Sequence, residues 1–232
     1  MTVYRWFIPE VEDPSDITDQ ERNFASALSE ATSALVRPGA HVHDLLIPAA
    51  YADHGQNTLV AALSISDWLA ERPIISLLSF GVHFSGVGVR GGRLHSQLYH
   101  LSGETPSLAL DAHGDIDDLA RKTAAWFEVV LCRPIVLHVW MHQGRAYASR
   151  YEFADTHETL VQAYNRPIAP QDQYERLIAE GYVHGKGWLQ TTGLPAPDFY
   201  TPVRGDMGRA QIPDGASLRE VRGLVANGRW YG

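Results

Sequence analysis

The chain has 232 residues, 45% of them hydrophobic and 20% charged, a formal net charge of −8 and a single cysteine, Cys132. A chain of this length buries a sizeable core without cross-links, because about 70% of the unfolded surface is lost at this scale. The composition excludes dominant disorder, the acidic balance argues against a general nucleic-acid binder, which relies on clustered cations, and one cysteine leaves no intrachain disulfide.

The first predicted helix runs from Asp19 to Val36, where Phe24, Leu28, Ala31 and Leu35 recur on one stripe. Thr18, with Glu21 three residues on, has the pattern of a capping box, and Arg37-Pro38-Gly39 ends the run. It follows an acidic stretch, Pro9 to Glu21, while the last residues, Pro202 to Gly232, carry five arginines against three acids. Both are expected to be solvated, with the basic tail resting on the acidic lead-in. A short strand is expected over His41 to Pro48. Asn57 to Glu71 fits either helix or strand, because Leu59, Leu63 and Trp68-Leu69 suit one and its Thr, Val and Ile suit the other.

Two hairpins are expected next. In Phe80–Leu101 the pair Gly91-Gly92 lies between alternating apolar runs and suits a two-residue turn with positive φ. That register sets Phe84 opposite Tyr99, Val82 opposite Leu101 and His83 opposite His100. In Ile135–Phe153 the turn is Gln143-Gly144, which pairs Trp140 with Tyr147, His138 with Ser149 and Val136 with Tyr151. One face then carries Val136, His138, Trp140, Tyr147, Tyr151 and Phe153, and the other Ile135, Leu137, Val139 and Met141 with Ala146 and Ala148. Two apolar faces call for cover on both sides. Between the hairpins, Ile116 to Leu131 is amphipathic, with Asp115 as N-cap and Pro134 beyond its end. A further helix, Gln171 to Glu180, stops at Gly181. From Gly185 on, Gly and Pro recur every few residues, anchored by Trp188, Phe199, Trp230 and Tyr231, and one short helix is expected at Ser217–Val225.

The resulting expectation is an α+β fold: a mostly antiparallel sheet built from two β-hairpins, three to four packed helices and an irregular Gly/Pro-rich C-terminal segment. Residues 1–184 form the main domain, and 185–232 wrap it within a single globular unit.

The motifs that carry chemistry are few. Gly86-Val87-Gly88-Val89-Arg90-Gly91 matches G-x-G-x-x-G, with Asp111 twenty residues beyond. The dinucleotide fingerprint needs a helix starting at the glycines, and Arg93 to Pro106 leaves too little room for one. Asp111-Ala112-His113 resembles the D-x-H block of metallophosphoesterases over five residues, but the G-N-H and G-H-x-H blocks of that family are absent. The segment reads as a strand end, a Gly turn and a helix cap. No G-x-S-x-G elbow anchors a nucleophile. His41 and His43 share one strand face, and His83 with His100 could share an ion if the first hairpin held its register, so these four are the candidate metal ligands. His138 and His142 sit about 13 Å apart on a strand and cannot share one unaided. No catalytic residue or cofactor is expected.

The function favoured at this level is non-enzymatic binding of a protein partner, or self-association. The alternatives are a His/carboxylate-dependent hydrolase, with or without metal assistance, and a small-molecule or nucleotide-binding domain. Residues 1–7 lack a basic leader before an apolar run. The longest uncharged apolar stretch, Pro73 to Val89, is interrupted and shorter than the ~20 residues of a membrane helix. A cytoplasmic protein with no membrane attachment is expected.

Overall fold

A computed structural model describes residues 5–9, 17–35, 42–47, 59–69, 72–95, 98, 108–185 and 187–227. The fold is α+β with predominantly antiparallel sheet, and the chain divides into two compact units. The first comprises Met1–Asp67 and Ile75–Leu131, the second Trp68–Ile74 and Cys132–Gly232.

In the first unit, helix α1 (Asp19–Thr32) starts on the predicted capping box: the Thr18 side chain accepts from Glu21 N at 3.2 Å, and Glu21 Oε2 accepts from Thr18 N at 2.8 Å. Strands β1 (Val42–Ile47), β2 (Leu59–Leu69), β3 (Arg72–Phe84), β4 (Gly88–Arg93) and β5 (Leu110–His113) follow in sheet order β1-β2-β3-β4-β5. The ambiguous segment is therefore a strand, and its run of buried Leu59 to Leu63 shows why no single face stood out in the sequence. Helix α2 (Ile116–Cys132) begins where Asp115 Oδ1 accepts from Asp118 N at 2.9 Å, the cap read from sequence. Cys132, at its end, is exposed. Both helices bury aromatics against one face of the sheet: Phe24 stacks on Phe84 at 4.3 Å, and Trp126 and Phe127 each meet Phe80 at 5.6 Å. Val60, Ala62 and Leu94 form a smaller cluster with Ile47 and Leu98.

The first hairpin turns elsewhere than its Gly-Gly pair suggested. The reversal is at Gly86-Val87, with Gly86 at φ 89° and Ser85 N donating to Gly88 O at 3.0 Å, a turn with glycine at its first central position. Gly91 and Gly92 lie inside β4, opposite Val82 and Gly81. Gly91 is needed there for space: a Cβ would come within 2.9 Å of Leu110 Cβ, 3.1 Å of Val82 Cγ1 and 3.3 Å of the Trp126 ring. Close packing, not positive φ, explains this glycine.

In the second unit, β6 (Ile135–His142) and β7 (Arg145–Phe153) form the second hairpin, turning at Gln143-Gly144 with φ 49° and 76° as expected. Strand β8 (Glu158–Tyr164) follows, then helix α3 (Gln173–Ala179), ended by Gly181 at φ 81°. The segment after 185 contributes regular structure between its turns. Val183–His184 (β9) pairs with Trp188–Leu189 (β10), and Phe199–Arg204 (β11) and Ser217–Leu218 (β12) extend the sheet. Helix α4 (Arg222–Asn227) lies later than the short helix expected at 217–225. The sheet order is β12-β11-β6-β7-β8, antiparallel except for the β11–β12 pair.

The register of this hairpin differs by one residue from the expected one. His142 pairs with Arg145 and Met141 with Ala146, but Trp140 pairs with Ala148, so Tyr147 is an extra residue in a β-bulge. Beyond the bulge, His138 faces Arg150 and Val136 faces Glu152 instead of Ser149 and Tyr151. A one-residue slip moves every later side chain to the other face. Ile135, Leu137 and Val139 now share a face with Tyr151 and Phe153, all buried. The opposite face, predicted to be aromatic, instead holds His138, Trp140, Arg150 and Glu152. Both faces of β6 are buried, as its sequence implied.

Candidate functional site

The bulge assembles a polar row across four strands of the second unit. Tyr200 on β11 pairs with His138 on β6, His138 with Arg150 on β7, and Arg150 with Gln162 on β8. Glu152, two residues along β7 from Arg150, completes the group. Its Oε2 lies 2.8 Å from Arg150 Nε and its Oε1 3.3 Å from His138 Nε2. The turn after β7, with His157 at φ 58°, brings His157 Nδ1 back to donate to Glu152 Oε1 at 3.1 Å. One carboxylate thus serves three nitrogen partners, and it is itself 97% buried.

Burial is the largest influence on Glu152 and would raise its pKa. The close approach and charge of His138, the charge of Arg150 and the hydrogen bond from His157 together outweigh it and bring the pKa down to about 2. Tyr200 shifts upward, first because it is buried and then because the Glu152 charge faces it. The approaches of His138 Nε2 and Arg150 Nε to Glu152 are off-line, so they are ion contacts and not directed hydrogen bonds. Both ring nitrogens of His138, Arg150 Nε and Tyr200 Oη are sealed from solvent without a hydrogen-bond partner among the described residues.

Above this row lies a cavity of about 230 Å³. Its sheet wall is Val136, His138, Trp140, Arg150, Glu152 and Tyr200, and its cover is the Gly/Pro-rich segment, chiefly Thr191 and Leu194 to Pro197, with Gln211 and Pro213. The cover is tied down at defined points. Gln162 Oε1 accepts from Thr191 N at 2.9 Å and from its hydroxyl at 2.8 Å, and Trp140 Nε1 donates to Pro195 O at 2.7 Å. The Arg150 guanidinium lies 5.5 Å from the Trp140 ring centre. It is held from below by Glu152 and flanked by an aromatic face, while its Nη groups make no hydrogen bond to a described residue.

The residues nominated from sequence are placed differently. His43 is an exposed residue of β1 opposite Ser64. His83 faces Arg90 across the β3–β4 ladder and donates through Nε2 to Leu98 O at 2.8 Å. The register that would set His83 against His100 is not formed, because the chain reverses at Gly86-Val87. His41 and His100 lie outside the described residues, as do most of the acidic lead-in and the last five residues of the tail. Among the described residues no group of three or more His, Cys, Asp or Glu is arranged to hold a metal ion. Asp111 and His113 sit 3.8 Å apart on exposed β5, and the glycines of the G-x-G-x-x-G match run into strand β4 instead of a helix.

Sequence reasoning named His138 but passed over Arg150, Glu152 and His157. The available signal was the pairing of apolar faces. On β6 and β7 alike the more apolar positions are odd-numbered, and matching them requires an odd number of extra residues. Among the described residues no helix is long and apolar enough to cross a membrane. No protein-family model matches the chain, and neither the curated proteins nor the solved structures yield a match.

Proposed function

We propose that this chain is a non-catalytic binding protein whose second unit takes a small polar molecule in the cavity over the β11-β6-β7 face. The observation that carries this reading is Arg150: a guanidinium fixed by Glu152 and Trp140, on the wall of a roofed cavity, with no hydrogen bond from its Nη groups to a described residue. Binding is favoured over hydrolysis because both His138 nitrogens are sealed, whereas a general base must come within hydrogen-bond reach of its substrate. A cavity of about 230 Å³ lies below the roughly 300–1,000 Å³ of drug-sized sites, which argues for a small ligand.

The test is a fragment screen by NMR on the isotope-labelled chain, followed through the Arg150 side chain and the Thr191 and Gln162 amides. Fragments that shift these three together support the reading. A polar fragment library that moves none of them overturns it.

A protein partner or a second copy of the chain is a second reading, favoured by Trp188, which is 58% exposed on β10. Light scattering coupled to size exclusion tests it: a Trp188-dependent oligomer supports it, and a monomer at all concentrations counts against self-association. Both readings carry a cytoplasmic setting with them, supported by the single cysteine.

A further inference from the structure

We infer that the ligand of this cavity is a small carboxylate with a flat apolar body, its carboxylate gripped by the two Nη groups of Arg150. The inference rests on the binding reading above and assigns the chemistry of its ligand. Arg150 presents a planar fork whose third nitrogen, Nε, is already engaged 2.8 Å from Glu152 Oε2. The remaining edge matches a carboxylate bidentately.

Glu152 engages Arg150 at Nε alone, its other oxygen meeting His138 at 3.3 Å and His157 at 3.1 Å, so the Nη edge is left to a second acceptor. The rest of the lining decides what the anion is attached to. Val136, Trp140, Leu194, Pro195, Pro197 and Pro213 form the apolar part of the lining, beside the polar Thr191, Thr192 and Gln211, with Trp140 as an aromatic face. Inorganic phosphate would satisfy the fork but leave this wall uncovered. A flat hydrocarbon body fills it and recovers roughly 25 cal/mol for each Å² of apolar surface removed from water. Gln162, which faces Arg150 across the ladder, is occupied by Thr191 and holds the cover in place, so the carboxylate specificity falls to Arg150.

The experiment is titration calorimetry of the full chain with benzoate, benzamide and inorganic phosphate, on the wild type and on Arg150→Lys and Arg150→Gln. Benzoate is expected to bind at least tenfold more tightly than either other probe. Arg150→Lys keeps the charge but loses the fork and is expected to weaken benzoate tenfold or more. Arg150→Gln is expected to abolish its binding. Circular dichroism and urea unfolding confirm that each variant is folded, and Arg150→Lys serves as the test if Arg150→Gln is not.

Benzamide binding as well as benzoate, or benzoate binding unchanged in Arg150→Lys, overturns the carboxylate assignment while the binding reading stands. Phosphate binding as tightly as benzoate overturns the apolar body. Absence of benzoate binding overturns the inference, and the fragment screen then decides the broader reading separately.

Discussion

Glu152 is the residue on which the second unit's polar row depends, and its charge state links structure to pH. Its pKa falls from 4.5 to about 2 on folding, because the pull of its three nitrogen partners exceeds the penalty of burial. A carboxyl with a depressed folded pKa contributes stability above its unfolded pKa and loses it as pH falls through the folded value. The contribution is about 3 kcal/mol, present above pH 4.5 and lost progressively towards pH 2. Urea unfolding between pH 6 and pH 2.5 is expected to show this loss in the wild type and a flatter profile in Glu152→Gln. That variant is also expected to be less stable at pH 7, because it leaves Arg150 and His138 facing a neutral amide in a buried site.

The two hairpins of similar sequence pattern come from different local devices. In the β3–β4 hairpin the residue that must be glycine for its backbone is Gly86, at φ 89°, while Gly91 must be glycine for space. Substitution separates the roles. Gly91→Ala is expected to cost about 1–3 kcal/mol through overpacking against Leu110, Val82 and Trp126, measured by urea unfolding. If Gly91 were instead a turn residue on the surface, the cost would come from φ alone and the neighbouring ring would not move, which the Trp126 indole NMR signal reports. At the helix level, the Thr18–Glu21 capping box satisfies Glu21 N in the first turn of α1 and Thr18 N at its cap, and Thr18→Ala is expected to lower stability by about 1 kcal/mol in the same assay. The bulge at Tyr147 is the most consequential device, because one inserted residue places Arg150 and Glu152 beside His138.

At the scale of the whole molecule, the first unit's core rests on aromatics delivered by both helices onto one sheet face. Phe127 touches Phe7, Phe80 and Trp126 and is fully buried, so Phe127→Ala is expected to cost about 3–5 kcal/mol by urea unfolding. The amino-acid sequence alone determined helices α1, α2 and α3, the N-caps of the first two, the Gln143-Gly144 turn, and an α+β fold of mostly antiparallel sheet. Each of these follows from local periodicity or from a residue whose own backbone preference decides the matter. Only the tertiary structure decided where β3 reverses, which side of β7 faces His138, and how the Gly/Pro-rich segment roofs a cavity over Arg150. Those outcomes turn on packing between segments far apart in the chain. A glycine needed for close approach has the same letter as one needed for a turn, and a bulge leaves the alternation of each strand intact while changing which faces meet.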